Sequence, residues 1–306
     1  NDQHLDLFKK WAVCTSGTKM ALWMQLNHPG KQVPKFLSKK LVAPSALPLD
    51  PGIRPMFATP RALTEKEILE IIHRFSHSAI LAKTAGFHGV QIHAAHGYLI
   101  NQFLSEKHNQ RQDQWGGSLE NRMRFLLEIY KAMREAVGTT FAIGVKINTA
   151  DFQKGGFSHE HAISVCKGLS DIGTDLIELS GGSYESPVMM TGQKESTKKR
   201  EAYFLQYASD IKKVIKCPLM LTGGFRTRAA MEHALESGEV DVIGLARPLA
   251  IEPDLPRRLI SKTDIESKVH PVSSGVKALD RLFALDISWY TEQLHRMGKE
   301  LEPNVN

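Results

Sequence analysis

This chain is poor in cysteine, in long apolar runs and in blocks of like charge, and each shortage narrows what it can be. Its 306 residues hold three cysteines, Cys14, Cys166 and Cys217. No C-x-x-C pair occurs among them, so neither a disulfide framework nor a cysteine-ligated metal or iron–sulfur centre is expected, and a reducing, cytoplasmic compartment fits best. No apolar run reaches the ~18 residues that a membrane-crossing helix needs, and no basic and apolar leader opens the chain. The formal charge of +6 is spread along the sequence rather than blocked, which argues against a nucleic-acid partner. Also missing is the G-x-G-x-x-G turn that follows the first strand of a doubly wound dinucleotide fold.

What is present is an ordinary globular composition, 42% hydrophobic and 24% charged, laid out as apolar β-rich runs alternating with amphipathic helices. The runs Ala21–Leu26, Gly89–His93, Phe141–Ile147, Leu176–Leu179, Leu219–Thr222 and Val240–Gly244 read as strands. Between them Thr64 and Glu67 form a capping box before Ile68, Ile71, Ile72, Phe75 and Ala79, which share one helical face. Ser118 and Ser158 cap two further helices, stopped by Gly138 and Gly173. Two more are expected near Tyr203–Ile215 and Thr227–Glu236. Repeated βα units without the dinucleotide turn predict a (β/α)8-type barrel, an α/β fold, with residues 1–306 as a single domain and a helical extension at about 276–298.

The stretch Gly89–Phe125 carries the most chemical information. Val90 and Ile92 read as a buried parallel strand, and His93, His96 and Tyr98 follow at its C-terminal end, the face on which such barrels carry out chemistry. Imidazole N–H groups can hydrogen-bond a carbonyl oxygen, and a phenol can deliver a proton. Taken singly, an H-x-x-H pair is as readily a surface pair or a metal site, and a tyrosine after a strand is commonly packing. No H-E-x-x-H spacing accompanies the pair, so no metal is expected.

The whole run H-A-A-H-G-Y-L…F-L…N-x-R-x-D-x-W-G-G-S-x-E-N-R-x-R-F resembles the signature of the old yellow enzyme family of FMN-dependent oxidoreductases. The resemblance implies a TIM barrel in which Gln25-Leu26-Asn27-His28-Pro29-Gly30-Lys31 lies on the third strand, so that strands 3 to 8 are present and the first two βα units are not. It implies FMN as cofactor, reduced by NADH or NADPH, with Gln25 on the flavin's pyrimidine edge. Lys146 stands where the family commonly has arginine, and is expected inside the barrel, facing the reduced flavin's N1–C2=O region as its counter-anion. Gly223 and Gly224 after the seventh strand, and Gly244 and Arg247 after the eighth, match the family's phosphate loops. His28 is read as structural, and Asn121, Arg122 and Arg124 as braces of their loop.

By the same resemblance His93 and His96 hydrogen-bond a substrate carbonyl, Tyr98 is the proton donor, and Tyr184 lines the substrate channel. The expected activity is NAD(P)H-dependent reduction of the activated C=C bond of α,β-unsaturated carbonyl compounds. The alternatives are an NAD(P)H oxidase or quinone-type reductase, and a truncated pseudoenzyme without stable FMN binding. A lysine inside a barrel also raises a Schiff-base aldolase, which nothing else in the chain favours. The basic cluster Lys194, Lys198, Lys199 and Arg200 reads as a solvated loop, with attraction of nicotinamide-cofactor phosphates as the lesser reading. Small molecules are the expected partners, with no membrane, and a homo-oligomer is one use of the aromatic C-terminal helix.

Overall fold

In the computed structural model the described residues are 2–181, 205–261, 265–270, 272–276, 280 and 285–305. They fall into two compact units, one of residues 1–186 with 213–218, the other of residues 187–212 with 219–306.

The first unit opens with helix α1 (Leu5–Ala12) and strand β1 (Trp23–Leu26). Two short strands, β2 (Val42–Ala43) and β3 (Arg61–Ala62), pair in parallel within the long connection that follows. Helix α2 (Glu65–Ala85) starts at the anticipated capping box: Thr64 Oγ1 accepts from Glu67 N and the Glu67 carboxylate accepts from Thr64 N. It ends where Gly86 takes a left-handed φ of 96°. Then come β4 (Gly89–Ala94), the short helix α3 (Leu99–Leu104), α4 (Leu119–Val137), β5 (Ala142–Asn148), α5 (His159–Asp171) and β6 (Leu176–Ser180). The main strands pair in parallel in the order β1-β4-β5-β6.

Alternation along these strands decides what each face carries. Val90, Ile92, Ala94, Ile143, Val145, Ile147, Ile177 and Leu179 are fully buried on one face. The opposite face receives Trp23 and Gln25 from β1, Gln91 and His93 from β4, Lys146 and Asn148 from β5, and Glu178 and Ser180 from β6, because side chains on a strand point alternately to the two sides. At the N-terminal end of that face the Trp23 ring lies directly over two glycines. A Cβ at Gly89 or at Gly144 would stand 2.8 Å from the indole, so the bare backbone is what admits the ring there.

The second unit contributes β7 (Leu219–Thr222) and β8 (Val242–Gly244), again parallel, with Thr222 opposite Gly244. Helical residues run over 205–212, over Arg228–Glu236 behind an N-cap at Thr227, and over Arg247–Ile251, Leu255–Ser261 and Leu285–Met297. The C-terminal helix packs inward: Tyr290 clusters with Ala250 and Ile251, with Trp289 against them, and its hydroxyl donates to His270 O at 2.8 Å. The earlier part of the anticipated extension, with Leu279, Leu282 and Phe283, lies outside the described residues.

Among the described residues no helix is long and apolar enough to cross a membrane.

Candidate active site

β4 delivers the histidine pair. His93 is its penultimate residue; His96 follows two residues after the strand and takes a left-handed backbone, φ 61°, with Gly97 at φ 77° beside it. Two consecutive left-handed residues turn the chain sharply, and the conformation is costly for a residue with a Cβ. Side chains from neighbouring elements hold it. Asn148 Oδ1 accepts from His96 N at 3.1 Å, and Asn101 Oδ1 accepts from Gly97 N at 2.7 Å. Both amides then donate to the buried Asp151 carboxylate, at 2.9 and 3.1 Å, and Phe157 N supplies a third donor to it at 3.0 Å. Tyr98 follows as the N-cap residue of α3.

The rings converge. His93 lies edge-on to His96 with centroids 5.1 Å apart and edge-on to Tyr98 at 4.9 Å. His93 Nδ1 accepts from Ala95 N at 3.2 Å, which places the proton of the neutral ring on Nε2. His96 Nε2 is 2.7 Å from Ser180 Oγ at the end of β6. Burial lowers both imidazoles to a pKa of about 3, with the Lys146 cation disfavouring a further positive charge on each and His96 adding to the effect on His93. At neutral pH both rings are therefore uncharged hydrogen-bond donors rather than imidazolium acids.

Lys146 stands on the polar face and has a carboxylate partner within the chain. Its Nζ donates to Glu178 Oε1 at 2.8 Å, with side-chain exposures of 14% and 8%. Strand register sets this carboxylate of the chain opposite Lys146. Glu178 Oε2 accepts from Gln91 Nε2 at 2.7 Å, and Gln91 Oε1 accepts from Gln25 Nε2 at 2.6 Å. Gln25 is exposed rather than buried. Glu178 and Gln91 were missed although a signal existed: a carboxylate and an amide at alternate positions of otherwise apolar strands.

His28 Nδ1 accepts from Gly30 N at 3.1 Å, and burial lowers its pKa to about 4. Arg122, 2% exposed, donates to Leu104 O, Gly117 O and Glu106, while Arg124 reaches Gln114 O and Asn121. These residues tie the loop before α4 to its surroundings.

In the second unit Gly223 and Gly224 follow β7 with φ of 114° and 90°. Gly244 has no room for a side chain because Thr222 fills the space beside it, and the buried Thr222 Oγ1 has no hydrogen-bond partner among the described residues. Arg247 pairs with Asp286 at 3.2 Å. Tyr184 and the cluster Lys194, Lys198, Lys199 and Arg200 lie outside the described residues. Among the described residues no cluster of metal-ligating side chains occurs.

Neutral imidazoles beside a phenol, at the C-terminal ends of parallel strands and next to a lysine–carboxylate pair, define an α/β barrel enzyme that can polarise a carbonyl group and supply a proton. Comparison with known proteins narrows the class. The chain belongs to the NADH:flavin oxidoreductase / NADH oxidase family, the family of old yellow enzyme, whose sequence profile matches residues 1–266. It is 34% identical to the NADH-dependent flavin oxidoreductase iccE of Talaromyces variabilis over 98% of this chain and 80% of that protein. Among solved structures, a 2-naphthoyl-CoA reductase bound to 2-naphthoyl-CoA superposes with a TM-score of 0.81 at 28% identity, covering 94% of this chain; this chain spans 45% of that one. The old yellow enzyme homologue of Zymomonas mobilis gives 0.71 at 29% identity, over 88% and 75% of the two chains.

The fold is thus the TIM-type α/β barrel of this family, and the cofactors are FMN and NADH or NADPH. Within the first unit the amides and the cation offer the donors and acceptors that a flavin's pyrimidine edge needs. Within the second, the left-handed Gly223 and Gly224 expose backbone of the kind that binds a phosphate.

Proposed function

We propose that the chain reduces the activated C=C bond of α,β-unsaturated carbonyl compounds at the expense of NADH or NADPH. Bound FMN supplies the hydride chemistry in both directions of exchange. The chain's own residues bind, polarise and protonate. His93 offers Nε2–H to the substrate's carbonyl oxygen, and His96 adds a second N–H when Ser180 donates to its Nε2 and the proton sits on Nδ1. Two neutral donors stabilise the negative charge that grows on that oxygen without a competing proton transfer. Tyr98 hands its phenolic proton to the α carbon. Gln25 and Lys146 address the flavin's pyrimidine edge, Gly223, Gly224, Gly244 and Arg247 its phosphate, and Tyr184 the substrate.

The observation that carries this reading is the fixed neutral tautomer of His93 set 4.9 Å from Tyr98. A conjugated acyl thioester in the 2-naphthoyl-CoA reductase relative supports the same substrate class. The test is to load the purified chain with FMN, add NADH or NADPH anaerobically with cyclohexenone or cinnamaldehyde, and identify products by chromatography. A saturated carbonyl product formed in step with NAD(P)H consumption supports the proposal. NAD(P)H consumed only when oxygen or a quinone is present would replace it with the oxidase reading.

A further inference from the structure

The polar face of the first unit carries a hydrogen-bonded row whose direction is dictated by one end. Glu178, ionised beside Lys146, can only accept. Gln91 must therefore present its amide nitrogen to Glu178, which turns its carbonyl oxygen toward β1, and Gln25 must answer with its own nitrogen. After that bond Gln25 has a carbonyl oxygen and one N–H left to offer. The flavin pyrimidine ring carries an N3–H donor flanked by two carbonyl acceptors, so that pair of groups is complementary to it, whereas a flipped amide would set acceptor against acceptor within the row. Such a flip costs a hydrogen bond in a partly desolvated site.

We infer that Glu178 is a positioning residue for the cofactor: it fixes the amide orientation of Gln25 through Gln91 and holds Lys146 with its charge compensated. The inference rests on the assignment of Gln25 and Lys146 to the flavin's pyrimidine edge. It has two separable consequences. The relay favours FMN binding in either redox state. The ion pair removes most of the preference that a bare ammonium would give to the anionic, two-electron-reduced cofactor, because attraction between the cation and that charge is offset by the carboxylate 2.8 Å away.

Two variants separate these effects. Glu178→Gln, nearly isosteric, can donate as well as accept, so it frees the relay and uncompensates Lys146. Gln91→Met breaks the relay and leaves the ion pair in place. Each is loaded with FMN; affinity is read from flavin fluorescence quenching, and the potential from a dye-coupled reductive titration, with far-UV circular dichroism confirming the fold. Both variants are expected to weaken oxidised FMN by about tenfold, the equivalent of one net hydrogen bond of ~1.4 kcal/mol. Glu178→Gln alone is expected to favour the reduced cofactor, raising the ratio of reduced to oxidised affinity several-fold, while Gln91→Met leaves that ratio unchanged. Folded variants that bind FMN like the parent, or a ratio that moves equally in both, overturn the inference. A parent chain that retains no FMN instead overturns the assignment beneath it, and the two failures are thereby distinct.

Discussion

Asn148 holds His96: its Oδ1 accepts the His96 backbone N–H at 3.1 Å, and its Nδ2 is anchored on the buried Asp151 carboxylate at 2.9 Å. A histidine kept at φ 61° by side-chain hydrogen bonds is preorganised for its task, at the expense of local backbone strain of order 1–3 kcal/mol. Asn148→Ala should release that strain and let the imidazole swing. The expected outcome is a rise of about tenfold in KM for an unsaturated ketone, roughly the loss of one hydrogen-bonded contact, with the rate of cofactor reduction by NAD(P)H much less affected. Stopped-flow measurement of the two half-reactions checks it; equal losses in both would show that the brace serves the fold alone.

Tyr98 lies 4.9 Å, ring to ring, from His93. Replacing it by phenylalanine removes the proton donor and leaves the ring. Alkene reduction should slow by about 10²–10⁴-fold, the usual worth of a positioned acid. FMN binding and cofactor reduction should hold at parental values. An unchanged alkene rate in Tyr98→Phe would remove Tyr98 from the mechanism.

Both site histidines have pKa values of about 3 in the folded chain against 6.5 when exposed. The unfolded chain therefore binds more protons than the folded one between those values. The sign follows: stability is full above about pH 6.5 and falls as the pH drops toward 3. The slope is about 1.4 kcal/mol per pH unit for each such group. Urea midpoints taken from pH 7 to pH 5 should decline, and the double variant His93→Asn with His96→Asn should flatten the decline. His28, with a pKa of about 4, contributes to what slope remains.

Gly144 has Trp23 packed against it: an added Cβ would stand 2.8 Å from the ring and 3.3 Å from Leu176 O. Gly144→Ala is expected to destabilise the chain by about 1–3 kcal/mol, as overpacking does. Combining it with Trp23→Leu should recover part of the loss if the ring is the obstacle. Additive losses, read from thermal denaturation, would point to the backbone of β6 instead.

The strands were legible because their buried faces, rich in β-branched residues and bounded by turn residues, read as short apolar runs. Leu219–Thr222 is found where the sequence placed it, and Gly89, Ala142 and Leu176 begin strands within a residue of expectation. Helix starts at Thr64, Ser118 and Ser158 were legible because caps are local chemistry. β2 and β3, two residues each, are too short to leave a periodic trace. His93, His96 and Tyr98 stood out by their crowding at one strand end. Glu178 did not, although it shares the polar face with Lys146, because nothing within β6 tells which residue of β5 lies opposite. That pairing is a property of register between strands 32 residues apart in sequence. Asp151 was hidden for a similar reason, since its significance lies in Asn101, fifty positions away.

Trp23 lies against bare backbone at the base of the polar face, two residues before Gln25 on the same strand. Indole emission overlaps the near-ultraviolet and blue absorption of an isoalloxazine, so if Gln25 meets the flavin as proposed, Trp23 becomes a native optical gauge of occupancy: the tryptophan signal should dim as FMN is added, without any label, and a Trp23→Phe variant should lose part of that response.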